Sequence, residues 1–127
     1  MLGILITGGE NNSGRLSSAE VFIPALNKSC SLSNMTQSRC RHTQNGFLSC
    51  GDDQSSGGNK CEVYTPQTGK WSIETYNLTA SRFRHTSWSL DNGSVVLLGG
   101  WSSNITTEIL IQGVGTSRGF DLKHERM

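Results

Sequence analysis

Two copies of one short segment hold most of the residues that could do chemistry. Arg39-Cys40-Arg41-His42-Thr43 and Arg82-Phe83-Arg84-His85-Thr86 each set two guanidinium groups and an imidazole within five residues. Imidazole is the side chain best matched to proton transfer near neutral pH, and an arginine fork matches a carboxylate with paired donors. A nucleophilic triad would add a Ser and an Asp to the His, but the Ser and Asp residues are too scattered to place one. Recurrence itself argues against catalysis, because a reacting group is needed once, whereas side chains repeated in register serve the repeated unit. No catalytic residue is expected. His42 and His85 are expected to hydrogen-bond neighbouring loops, and Arg39, Arg41, Arg82 and Arg84 to tie one repeat to the next. The other reading of the arginines is a face that receives acidic groups.

Gly8-Gly9 and Gly99-Gly100 end apolar runs with no helix behind them to aim its N-terminus at phosphate, so no nucleotide loop is present. The four cysteines, Cys30, Cys40, Cys50 and Cys61, lack the C-x₂₋₄-C spacing of a structural zinc site, and no metal or other cofactor is expected. Cys50 closes one predicted strand and Cys61 precedes the next, so a hairpin brings them within bridging range. The loop between them has no apolar anchor, and a disulfide there is expected. Cys30 and Cys40 flank a second loop and form a second possible pair, with the other two connectivities open. Four reduced cysteines packed as small hydrophobes are the alternative.

The elements that must position these residues are short strands. Gly numbers 15 and Ser plus Thr 29, while Ala numbers only 3, and no window of a dozen residues keeps an i, i+3, i+4, i+7 apolar pattern. Apolar runs at Ile4–Thr7, Val21–Ile23, Phe47–Cys50, Val63–Thr65, Val95–Leu98 and Ile109–Ile111 alternate with clusters of Gly, Asn, Ser and Asp. The chain reads as all-β. Leu, Ile, Val and Phe make up 28 of 127 residues, just above the roughly 20% below which disorder is expected. A net charge of +1 argues against nucleic acid as a partner, and no run approaches the roughly 20 apolar residues of a membrane span.

The segment Asn34–Thr43 matches Asn77–Thr86 at seven of ten positions with an offset of 43. Further out, Glu20–Pro24 answers Glu62–Pro66 at an offset of 42, and Gly3–Gly8 answers Gly46–Gly51 at 43. A third copy begins at Gly93 and continues through Leu98-Gly99-Gly100 and Thr107-Glu108-Ile109. A period of this length holding several strands indicates a β-propeller of four-stranded blades. Within one period the first strand is expected at Arg41–Gln44, a tight turn at Asn45-Gly46, and the second strand at Phe47–Cys50. The third is expected at Glu62–Thr65, and the fourth opens with Lys70-Trp71-Ser72.

These residues resemble the kelch-repeat family. Gly8-Gly9 and Gly99-Gly100 match its glycine pair, Gly51-Asp52 is a degenerate copy, and Tyr64, Pro66, Thr68, Gly69 and Trp71 match the rest of its signature. The Arg-x-Arg-His-Thr openings, the cysteines and the ending Gly119–His124 look more like kelch proteins of the invertebrate secreted or surface type than of the intracellular adaptor type. The resemblance implies a partial propeller over residues 1–112, about two complete blades with partial ones, followed by an irregular tail over 113–127. Both ends fall in mid-blade, so the chain reads as a fragment, to be completed by further blades or by self-association. Trp71 is the expected packing residue of its fourth strand, and Trp101 could reach a loop surface.

Six sequons, at Asn11, Asn27, Asn34, Asn77, Asn92 and Asn104, stand against roughly two expected by chance and fall in predicted loops. With the cysteines they point to an extracellular or cell-surface setting, a secretory leader then lying ahead of residue 1. The expected function is a non-enzymatic binding or scaffold module presenting loops to a protein or glycan. An intracellular kelch adaptor that recruits protein substrates would need reduced cysteines and unused sequons. A fragment of a galactose-oxidase-like copper enzyme would need Tyr, Cys and His ligands from distant blades, and the chain has two Tyr.

Overall fold

A computed structural model describes residues 3–52, 58–101, 106–111, 114–121 and 123. Apolar runs this short, broken by Gly and Asn, favour strands over helices. In chain order the strands are β1 (Ile4–Thr7), the short β2 (Glu10–Asn11) and β3 (Gly14–Arg15), β4 (Ala19–Ile23) and β5 (Lys28–Ser31). Then come β6 (Thr43–Asn45), β7 (Leu48–Cys50), β8 (Cys61–Thr65), β9 (Lys70–Ile73), β10 (Thr86–Ser89), β11 (Val95–Leu98), β12 (Thr106–Ile111) and β13 (Gly115–Asp121). One 3₁₀ turn, Pro24–Leu26, joins β4 to β5 and ends at Asn27 with φ +46.

All sheets are antiparallel. Sheet 1 has the order β1-β4-β5, sheet 2 β6-β7-β8-β9 and sheet 3 β10-β11-β12-β13, while β2 and β3 pair as a small hairpin. Sheets 2 and 3 are therefore complete four-stranded meanders, and sheet 1 has the same order without a first strand. Apolar clusters fill the spaces between them. Ala19, Met35, Tyr64 and Trp71 form one, with Leu5 and Leu32 at its margin; Leu48, Cys50, Cys61, Leu78, Val95, Leu97 and Leu110 form the other. Met35 and Leu78, equivalent in the repeat, serve one cluster each.

Three local expectations change. The turn between β6 and β7 is Gly46-Phe47, not Asn45-Gly46, since Asn45 pairs with Leu48. Gly46 has φ +58, and a two-residue turn with positive φ only at its first position requires Gly there and leaves Asn45 in the strand. The first strands begin at Thr43 and Thr86 because Arg41 and Arg84 both have φ +56, a left-handed conformation that interrupts an extended strand. The tail expected to be irregular contains β13, whose Gly115–Arg118 stretch pairs with β12 from Ile111 back to Glu108.

Cys50 and Cys61 are bonded to each other, as register partners on β7 and β8 with Cα atoms 4.2 Å apart. Cys30 and Cys40 are not joined. Cys30 lies exposed on β5, opposite Val21, whereas Cys40 is buried ahead of β6, so strand and loop carry the two thiols apart. Replacing Cys50 and Cys61 together by Ala should lower stability by about 2–3 kcal/mol, since the loop they close is short. Urea denaturation under non-reducing conditions measures this, and a peptide map joining Cys50 or Cys61 to Cys30 or Cys40 would contradict the pairing.

Candidate functional site

The repeated segment docks its backbone on one sheet and its arginine in the next. Met35 and Arg39 donate their N–H groups to Ser17 O at 2.7 Å and Leu16 O at 3.0 Å, on the strand-entry loop of sheet 1. Leu78 and Arg82 repeat this on sheet 2, donating to Asn59 O and Gly58 O, each at 2.8 Å. The arginine side chains then turn forward into the sheet that follows.

Arg39 uses all five of its donors. Its Nε and Nη2 donate to Glu62 Oε2 at 3.1 and 2.9 Å, its Nη1 to Gly51 O at 3.0 Å and Lys60 O at 2.9 Å, and its Nη2 also to Gln37 Oε1 at 3.2 Å. Glu62 Oε1 accepts from the N–H of Thr36 at 2.7 Å and from its hydroxyl at 3.1 Å. Both charged side chains are 0% exposed. In the second junction Arg82 Nε donates to Glu108 Oε2 at 3.4 Å, Nη1 to Gly99 O at 2.8 Å and Thr106 O at 2.9 Å, and Nη2 to Thr106 Oγ1 at 2.8 Å, while Thr79 N–H caps Glu108 Oε1 at 2.6 Å. Burial pulls Arg82 below its ordinary pKa, and the Glu108 carboxylate opposes the shift; an arginine stays charged throughout the working range. A buried guanidinium is tolerated when its charge is paired and its donors are filled.

The glycines leave room for these segments. A Cβ on Gly8 would lie 2.9 Å from His42 Cε1, and one on Gly51 2.7 Å from His85 Cε1. A Cβ on Gly100 would meet His85 Cβ and Phe83 O, both at 2.8 Å. Gly9 N–H donates to Arg39 O at 2.8 Å, and Asp52 N–H, at the equivalent position, donates to Arg82 O at 3.0 Å. The departure from Gly-Gly at Asp52 has a purpose. Its carboxylate accepts from Cys40 N–H at 3.0 Å and from Arg15 Nη1 at 3.1 Å, tying the β2-β3 hairpin to the junction.

The histidines reach backwards to the preceding sheet. His42 Nε2 lies 3.0 Å from Thr7 Oγ1, and His85 Nε2 2.8 Å from Thr43 Oγ1. Thr7 gives its hydroxyl hydrogen to Gln44 Oε1, so it accepts from His42, whose proton sits on Nε2. Neither Nδ1 finds a partner among the described residues. Burial lowers the pKa of His42, with the Arg39 charge adding to it, and Asp52 and Glu62 opposing. His85 is held down to about 3 by burial, then by Arg82 and His42. Two neutral imidazoles flanked by guanidinium groups suit joints between sheets.

Arg41 and Arg84 are exposed, and the two segments are joined by Arg84 N–H donating to Arg41 O at 2.7 Å. Trp71 is buried against Tyr64, ring centroids 5.3 Å apart, and its Nε1 donates to Ser33 O at 2.9 Å. Trp101 is 49% exposed beside Phe83. Asn11, Asn27, Asn34, Asn77 and Asn92 are all exposed, whereas Asn104 lies outside the described residues. Among the described residues no three His, Cys, Asp or Glu side chains come together to hold a metal ion, and no helix is long and apolar enough to cross a membrane. The arginine–glutamate pairing escaped the sequence reading, although Glu20, Glu62 and Glu108 recur on the third strand just as Arg39 and Arg82 recur ahead of the first. A scan against protein-family models and a search of curated protein sequences find no match to this chain.

The histidines give the fold a pH dependence. With its folded pKa depressed below the unfolded value of about 6.5, His85 binds a proton more readily in the unfolded chain. Its contribution is therefore present above pH 6.5 and lost as the pH falls towards about 3. Melting temperature should fall between pH 7 and pH 4, and His85→Gln should flatten that fall. An unchanged slope in the variant would contradict the assignment.

Proposed function

We propose that this chain is a non-enzymatic binding module built of kelch-type propeller blades, working outside the cell and presenting one end of its sheets to an acidic protein or glycan. One observation carries the reading: the repeated segment divides its polar residues by task. Arg39, Arg82, His42 and His85 are consumed in joining sheets, while Arg41 and Arg84, both with φ +56, are exposed at equivalent positions. A bulky residue with positive φ costs roughly 1–3 kcal/mol and persists where the surroundings impose it. Both residues are exposed at equivalent places in the repeat, and guanidinium groups match carboxylates and sulfates.

The meander order of sheets 2 and 3, and sheet 1 lacking only the first strand, support the propeller reading. The Cys50–Cys61 bond and five exposed sequons support the extracellular setting. The adaptor alternative would require that bond to be absent. On an array of acidic glycans and acidic peptides, the secreted protein should bind, and Arg41→Ala with Arg84→Ala should lose that binding at an unchanged melting temperature. Intact mass of the native-source protein should include N-linked glycan. Bare asparagines with four thiols would favour the adaptor, and binding that survives the double variant would refute the arginine face.

A further inference from the structure

The two occupied arginine junctions define a socket that sheet 1 repeats. Gly51 O, Lys60 O and the Glu62 carboxylate hold Arg39; Gly99 O, Thr106 O and the Glu108 carboxylate hold Arg82. The repeat offset carries this set to Gly8, Ser18 and Glu20. Those three residues line a pocket of about 260 Å³, with Leu16 and Ser31 beside them, and among the described residues its lining carries no cation. One backbone hydrogen bond recurs in all three. Gly8 N–H donates to Ser18 O at 2.9 Å, as Gly51 N–H does to Lys60 O at 3.0 Å and Gly99 N–H to Thr106 O at 3.1 Å.

A second feature lies alongside. The strands equivalent to β1 are β7 and β11, and each is covered by a first strand, β6 or β10, whereas β1 is the edge of its sheet. Ser49, which β6 covers, is 0% exposed, while Ile6 at the same repeat position is 44% exposed. In both complete sheets the first strand starts four residues after the socketed arginine, at Thr43 and Thr86.

We propose that the Glu20 pocket and the β1 edge together bind an extended segment of the Thr-x-Ser-Arg-x-x-His-Thr type carried by a partner polypeptide. Its arginine enters between Gly8 O, Ser18 O and the Glu20 carboxylate, and the residues that follow add a strand along β1. The site lies apart from the exposed arginine face, so either can fail without the other. Calorimetric titration of the full chain with a synthetic peptide of the Asn77–Ser89 sequence should show saturable one-to-one binding. Glu20→Gln should weaken it about tenfold or more, because a charged partner is lost, and Glu10→Gln should not. Citrulline in place of the peptide's first arginine should weaken it equally, which tests the socket with the protein unaltered. Absence of binding, or binding indifferent to both changes, would overturn the proposal. So would a dimer seen by ultracentrifugation that Glu20→Gln dissociates, since the occupant would then be a second copy.

Discussion

A guanidinium and a carboxylate withdrawn from water cost several kcal/mol each unless every donor and acceptor is met. Here two such pairs, Arg39 with Glu62 and Arg82 with Glu108, lie wholly buried. Meeting five donors at once fixes a great deal of structure. The carbonyl that ends a second strand, the carbonyl that precedes a third and the glutamate on it must all converge on one point. The segment bearing the arginine must also lie across the preceding sheet. Apolar burial supplies the bulk of the driving force, but it is tolerant of sliding; the charged pairs are not. They set the register of one sheet against the next.

The remaining polar residues of the repeat follow from that choice. Bringing an arginine-bearing backbone so close to the previous strand leaves no room for a Cβ at Gly8 or Gly51. The imidazoles that pack there lie near a fixed positive charge and remain neutral, which couples the joints to pH. Where the sequence gives up the second glycine, at Asp52, it gains a carboxylate that reaches Arg15 and the backbone of Cys40.

Much of the fold was legible because the repeat is strong. The positions of β1, β4, β7, β8, β11 and β12 and the Cys50–Cys61 hairpin followed from apolar runs and turn residues. What escaped was conformation that local sequence does not dictate. The left-handed Arg41 and Arg84 delay the first strands, yet nothing about arginine announces positive φ. A Gly46-Phe47 turn differs from Asn45-Gly46 by one residue of register, and both suit Gly46. Residues 115–121 carry few aliphatic side chains, so β13 owes its place to pairing with β12 rather than to its own pattern. At the candidate site the recurrence of His42 and His85 was read as structural from the spacing alone. The glutamate partners were visible as a recurrence but unassigned, because only the fold brings residues 23 and 26 positions apart into one buried contact.

The central claim is that a buried arginine–glutamate pair joins each lead-in segment to its sheet. It is tested most directly by a double-mutant cycle on Arg82 and Glu108, followed by urea denaturation. Arg82→Met and Glu108→Leu should each lower stability by about 3–5 kcal/mol by stranding a buried charge. The double variant, with neither charge left, should recover much of that loss. Single effects that simply add would contradict the pairing and leave apolar packing as the sole joint between sheets.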